Sequence, residues 1–188
     1  MKPFFYWFSG VGLAVALGAS ASTADSEPGI LAVETVIGVY DSRAVAYAHF
    51  WSADEQRNRS AVIAAGRAAE AAGNTALFEE KSRAMADYQK RMHNQVFGDA
   101  PATEAMAALA GRMPVLLGKL GVVRLVSKWD RKALRAVPEK SRVDVTEELV
   151  REFITPDDKQ RKVLDSMKTS KPVPRKQIGH AATRLGWG

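Results

Sequence analysis

Cysteine is absent from all 188 residues. Its absence removes disulfides, thiol nucleophiles and thiolate zinc sites, together with the lipid-modified cysteine that opens a mature bacterial lipoprotein. Histidine is scarce, and His49, His93 and His180 stand in no His-x-x-x-His or comparable ligand spacing, so no metal is expected. Phosphate-binding glycine loops, Gly-x-Ser-x-Gly turns and dinucleotide fingerprints are missing as well, and no cofactor is expected. The neighbouring carboxylates Glu79-Glu80 and Asp157-Asp158 would point about 100° apart on a helix and read as solvated faces, not as a general acid and its base. Taken together, these absences argue against an enzyme. No internal repeat is visible, and no Arg-Arg pair precedes the N-terminal apolar run, which leaves a twin-arginine export route without support.

What is present points to a helix-rich globular chain. Hydrophobic residues make up 46% against 26% charged, which excludes a wholly disordered or collagen-like polymer. Of thirty alanines, twenty fall between Ala44 and Ala110, and alanine is the best helix former. The net charge of +6 invites a nucleic-acid reading, but its distribution opposes one. Residues 22 to 154 hold 18 basic and 18 acidic side chains, whereas residues 155 to 188 hold eight Lys or Arg against three Asp. The excess describes a basic tail and not a basic groove on the body, so no nucleic-acid partner is expected.

Lys2, the largely apolar run Phe4 to Ala19 and the small residues of Ala19-Ser20-Ala21 form a signal-peptide pattern, with cleavage expected after Ala21. The run falls short of the roughly 18 to 20 residues that span a bilayer, although a retained anchor is the competing reading. Residues 22–32 read as a flexible leader. Glu34 to Tyr40 is β-branched and aromatic and predicts a strand, with Asp41 or Ser42 placed to cap a following helix. From Arg43 to about Ala72 no proline intervenes, and the 3-4 seam Ala44, Ala48, Trp51, Glu55, Asn58, Val62, Ala65, Ala69, Ala72 predicts one long helix with a polar break at Glu55 and Asn58. Gly73-Asn74 is the expected turn. A second helix carries Phe78, Met85, Tyr88, Met92 and Val96 on one stripe, and a third, over 103–120 and kinked at Pro114, carries Met106, Leu109, Met113, Leu116, Leu117 and Leu120. Val122 to Trp129 predicts a strand, Asp130-Arg131 a turn and Ala133 to Val137 the returning strand. Asp144 and Glu147 have capping-box spacing for a helix Glu147 to Ile154, and a polar helix past Pro156 runs to about Met167 before an extended or disordered remainder.

Three segments, Ile37 to Tyr47 (IGVYDSRAVAY), Leu120 to Asp130 (LGVVRLVSKWD) and Val143 to Val150 (VDVTEELV), lie behind that export pattern in the order strand, helical hairpin, strand, short helix. In the full expected order, strand, long helical hairpin, strand, strand and short helix behind a signal peptide, the chain resembles the Skp/OmpH-like family of periplasmic chaperones over roughly residues 33–154. The resemblance implies an α+β, predominantly helical fold with a small β-strand body and a projecting helical hairpin, here 42–120, followed by a basic, partly disordered C-terminal extension, 155–188. It also implies a homo-oligomer, most simply a trimer, that holds unfolded outer-membrane and other envelope proteins in the periplasm without ATP. Met85, Tyr88, Met92, Met106 and Met113 are then the candidate client contacts, ordinary core packing being the competing reading of such a stripe. The rival function is a non-catalytic envelope structural or interaction protein that touches anionic lipid, lipopolysaccharide or cell-wall polymer through Lys159, Arg161, Lys162, Lys168, Lys171, Arg175 and Lys176.

Overall fold

A computed structural model describes residues 35–174, 177 and 178. The signal-peptide and leader readings, Arg175, Lys176 and the last ten residues lie outside them. The described chain is predominantly helical around one small sheet, as the α+β reading requires.

Strand β1 (Ile37–Tyr40) lies at the centre of that sheet, flanked by β2 (Arg124–Ser127) and β3 (Arg142–Asp144) in the order β2-β1-β3, both neighbours parallel to it. Parallel pairing requires long crossovers, and the first of them contains most of the molecule. Asp41 stops β1 and caps α1 (Ser42–Phe50) by accepting from the Arg43 N–H at 3.0 Å. All nine residues of α1 are buried, and Val45 and Phe50 are among the most enclosed side chains of the protein. Around α1 pack Val96, Leu109, Leu149 and Val150, and enclosing each such large side chain contributes about 1.5 to 3 kcal/mol.

The single helix expected from Arg43 to Ala72 is two. Trp51 closes α1, Ser52 Oγ accepts from the Glu55 N–H at 3.3 Å, and α2 (Ala53–Ala71) starts afresh. The polar break in the seam at Glu55 and Asn58 therefore belongs to the first turns of a new helix, where polar groups suit free N–H groups. Gly73, at φ +67°, makes the turn with Asn74, whose Oδ1 accepts from Leu77 N–H and caps α3 (Thr75–Val96). Helices α2 and α3 pack on each other as the hairpin. The expected span of 42–120 is thus reduced to 53–96, since α1 lies wholly inside the body and α4 (Thr103–Leu109) packs on α1. A 3-10 turn, Ala110–Arg112, separates α4 from α5 (Met113–Leu120), and Pro114 sits in the first turn of α5, where its missing N–H costs little.

The expected β-hairpin at 122–137 does not form. Asp130 Oδ1 accepts from Ala133 N–H at 2.9 Å and starts α6 (Arg131–Arg135), which brings Ala133 and Leu134 onto a second small cluster of Ile37, Val126 and Val137. The cap decides the outcome, because five residues with alanine and leucine gain a helical turn once the first N–H groups are satisfied. The expected capping box at Asp144 does not form: Asp144 Oδ1 accepts from the Thr146 N–H at 2.9 Å, but Val145 is the N-cap of α7 (Thr146–Arg151) and has no side-chain cap, and Glu147 turns to Arg151 and Lys168.

The C-terminal extension is no solvated appendage over its described part. Asp157 and Gln160 form a full capping box, at 2.8 and 3.0 Å, that starts α8 (Asp158–Thr169). Met167 is 6% exposed, Val163 and Leu164 pack on the main core, and Ile178 is 4% exposed. A polar helix with three apolar residues on one side can dock, and counting apolar residues alone hides that.

Candidate functional site

The carboxyl ends of β1 and β2 hold a buried charge cluster. Asp41, 3% exposed, receives hydrogen bonds from Arg43 Nε (3.2 Å) and Nη2 (2.9 Å) and from Trp129 Nε1 (2.8 Å), with Lys128 Nζ at 2.7 Å. Arg43 stacks over the Trp129 ring at 4.7 Å, and Lys128 lies 4.9 Å from the same ring centre. Burial pushes the Asp41 carboxyl up, but the hydrogen bonds from Arg43, Lys128 and Trp129, with Arg43's charge, outweigh it and hold its pKa below the ordinary value. Such a carboxylate is a fixed anion, unsuited to take up a proton near neutrality. The same Arg43 Nη2 also donates to the carbonyls of Met167 (2.6 Å) and Ser170 (2.9 Å), which ties the C-terminal end of α8 to the cluster. A cation at that end also favours the helix dipole.

A cleft of about 540 Å³ opens beside this cluster, between α7 and α8. Its polar lining is largely self-satisfied: Lys168 pairs with Asp165 (3.0 Å) and Glu147 (3.2 Å), Arg151 with Glu147 (3.2 Å), and Thr146 Oγ1 accepts from Asp41 N–H and donates to Asp144. Asp165 and Glu147 hold the Lys168 ammonium above its ordinary pKa. Among the described residues, no three His, Asp or Glu side chains converge on a point that would hold a metal ion. Nor is any described helix long and apolar enough to cross a membrane.

The hairpin carries the other feature. Met85, Tyr88 and Met92 line one shallow depression of about 500 Å³ on α3, closed on the α2 side by Arg59. Tyr88 meets Phe50 edge-on at 5.4 Å, and Met92 is 7% exposed, so the inner end of the stripe roots the hairpin in the core while Met85, farther out, is half-buried. Met106 and Met113 lie apart from that depression and pack as half-buried residues against the body core. Of the basic residues, Lys159, Arg161, Lys162, Lys168 and Lys171 are exposed on or just beyond α8. The Asp41 cluster escaped the sequence reading, although its signal was there: Asp-Ser-Arg at one strand end and Lys-Trp-Asp at another are charge and indole at two turns of one sheet.

Comparison with protein-family models, with curated proteins and with solved structures yields no match for the chain.

Proposed function

We propose that the protein is an ATP-independent holdase of the periplasm, whose hairpin shields apolar segments of unfolded envelope proteins. The observation that carries this reading is the hairpin itself. Helix α2 buries only Gly66 and Ala69, α3 buries nothing before Met92, and Ile63 and Phe78 stand 38% and 36% exposed on the two arms. Helices of this length reach about 30 Å, and two arms that give so little of their surface to the body leave it for something else. Reversible shielding needs adaptable apolar surface and no reactive group, and methionine supplies such surface.

Oligomerisation belongs to the same reading. Strands β2 and β3 each have β1 on one side only, and Val123 and Val143 near those edges are 58% and 39% exposed. Edge pairing between chains would cover them, and several hairpins in one particle would add avidity, a trimer being the simplest arrangement. Light scattering of the full chain, combined with an aggregation assay on an unfolded outer-membrane barrel protein, tests both parts. Monomer mass with no suppression of aggregation would end the reading.

A second reading, an envelope protein bound to anionic lipid or polymer, draws on the exposed Lys159, Arg161, Lys162 and Lys171. It predicts vesicle binding that weakens sharply between low and physiological salt.

A further inference from the structure

A parallel sheet ends all its strands on one side, and the segments that leave them for their helices diverge, so a crevice remains outside the carboxyl ends where ligands commonly bind. In this protein that crevice is the cleft of about 540 Å³. Asp41 follows β1, Lys128 follows β2 and Asp144 is the last residue of β3, and all three line it. Its volume lies in the range of pockets that enclose a small organic molecule, and the buried Ala44 and Val150 with the half-buried Leu164 give it apolar wall. Lys168, in the last turn of α8, bridges to Glu147, in the first turn of α7, at 3.2 Å and closes the end of the cleft away from the connection between those helices. Pro156, in that connection, lines it as well.

Most charges of the lining are spent on one another. Lys128 is paired with Asp41, Lys168 with Asp165 and Glu147, and Arg151 with Glu147, while Asp144 accepts from Thr146. Two are left over. Glu148, on α7, has neither an ion pair nor a hydrogen bond among the described residues. Arg161, on α8, spends one N–H on the Pro156 carbonyl at 3.2 Å, which holds its guanidinium near the connection, and its remaining donors have no partner among the described residues. The two are opposite in sign and line one cleft from its two walls, yet they form no ion pair with each other. A simple anion would suit Arg161 and be repelled by Glu148, and a simple cation would meet the reverse. A molecule that satisfies both carries a cation and an anion, together with an apolar part for Val150 and Leu164.

We propose that this cleft binds a small zwitterion with an aliphatic side chain, a free amino acid or a di- or tripeptide, its ammonium at Glu148 and its carboxylate at Arg161. Neither arm of the hairpin contributes a residue to the lining, so the proposal stands apart from the holdase reading.

Isothermal titration calorimetry on the full chain tests it with leucine, dileucine and trileucine, which tell an amino acid from a peptide as the source of the two charges. The parent that binds most tightly is then compared with its N-acetyl form, which lacks the ammonium, and with its C-terminal amide, which lacks the carboxylate. Each derivative is expected to bind about tenfold more weakly than the parent, the effect of losing one charge-assisted hydrogen bond. Glu148→Gln should weaken the parent by the same factor while binding the N-acetyl form as the wild type does, and Arg161→Gln should do likewise with the amide. Both side chains are exposed, so both variants should keep the wild-type urea midpoint. Absence of binding by all three parents would overturn the proposal. So would derivatives that bind as well as their parent, or folded variants that bind the parent like wild type or weaken every ligand alike.

Discussion

Replacing Asp41 by Asn removes the one anion that two buried or half-buried cations and an indole share. The shape is kept, but the amide presents a single acceptor oxygen and turns an NH2 towards donors. Lys128, 29% exposed at its side chain, can swing into water, whereas Arg43, at 3%, is held by Met167, Ser170 and the Trp129 ring. One uncompensated guanidinium is therefore left in the body, and breaking a buried pair in this way costs about 3 to 5 kcal/mol. At roughly 2 to 4 °C per kcal/mol for a chain of this size, Tm should fall by about 6 to 20 °C. A second signature belongs to the charge alone. The folded pKa of Asp41 lies below its ordinary 3.8, so its contribution is fully present above that value and is lost as pH falls through the folded pKa. Acid unfolding of the wild type should contain this component below pH about 4, and the Asn variant should lack it. Calorimetry at neutral pH and an acid titration of the far-UV signal measure the two effects. A Tm drop under 2 °C, with unchanged acid unfolding, would show that the cluster does not hold β1, β2 and α8 together.

Three further outcomes are expected. Leu149→Ala, at a site with 0% exposure in the main cluster, should lower stability by about 2 to 5 kcal/mol, read as a shift of the urea midpoint with unchanged slope. Burial lowers the pKa of both His93 and His49, Glu55 and Glu104 offsetting it in part at His49, so stability is full above the ordinary 6.5 and falls as pH drops from there towards the folded values; His93→Gln should flatten that slope in chemical denaturation at pH 7 and 5. Ile63→Asp combined with Phe78→Asp should leave urea-unfolding stability within about 1 kcal/mol, because both side chains are more than a third exposed, yet should weaken aggregation suppression. A double variant with undiminished suppression would remove these two arm positions from the client surface.

The parts of the fold that could be read from the sequence are those fixed by neighbours. The strand ending at Tyr40, the Asp41 cap, the Gly73-Asn74 turn and the capping helix after Pro156 each depend on groups within about four residues, and each is found. The strand expected over 133–137 fails because Ala-Leu-Arg-Ala-Val is apolar enough to read as one, while the group that decides, the Asp130 carboxylate, lies three residues before it, in the expected turn, and starts a helix at Arg131. The docking of α8 was hidden for another reason: its partner for the C-terminal carbonyls is Arg43, more than 120 positions upstream, and no local pattern reports such a contact. The Met stripe divided along the same line. Met85, Tyr88 and Met92 share a helix and so share a face, but whether Met106 and Met113 join them depends on the turn at 97–102, which periodicity does not specify.

The restart of the helix at Ser52 has a bearing on how such a protein can change. With α1 enclosed on every side and α2 beginning from its own cap, nothing in the body registers how far the two arms run beyond it. Inserting seven residues into α2 and seven into α3, opposite each other, would add about 10 Å to the reach and return each helix to nearly the same rotation. Lineages sharing this body are thereby free to vary arm length by matched insertions, and arm length, more than body sequence, becomes the trait on which selection for cargo size can act.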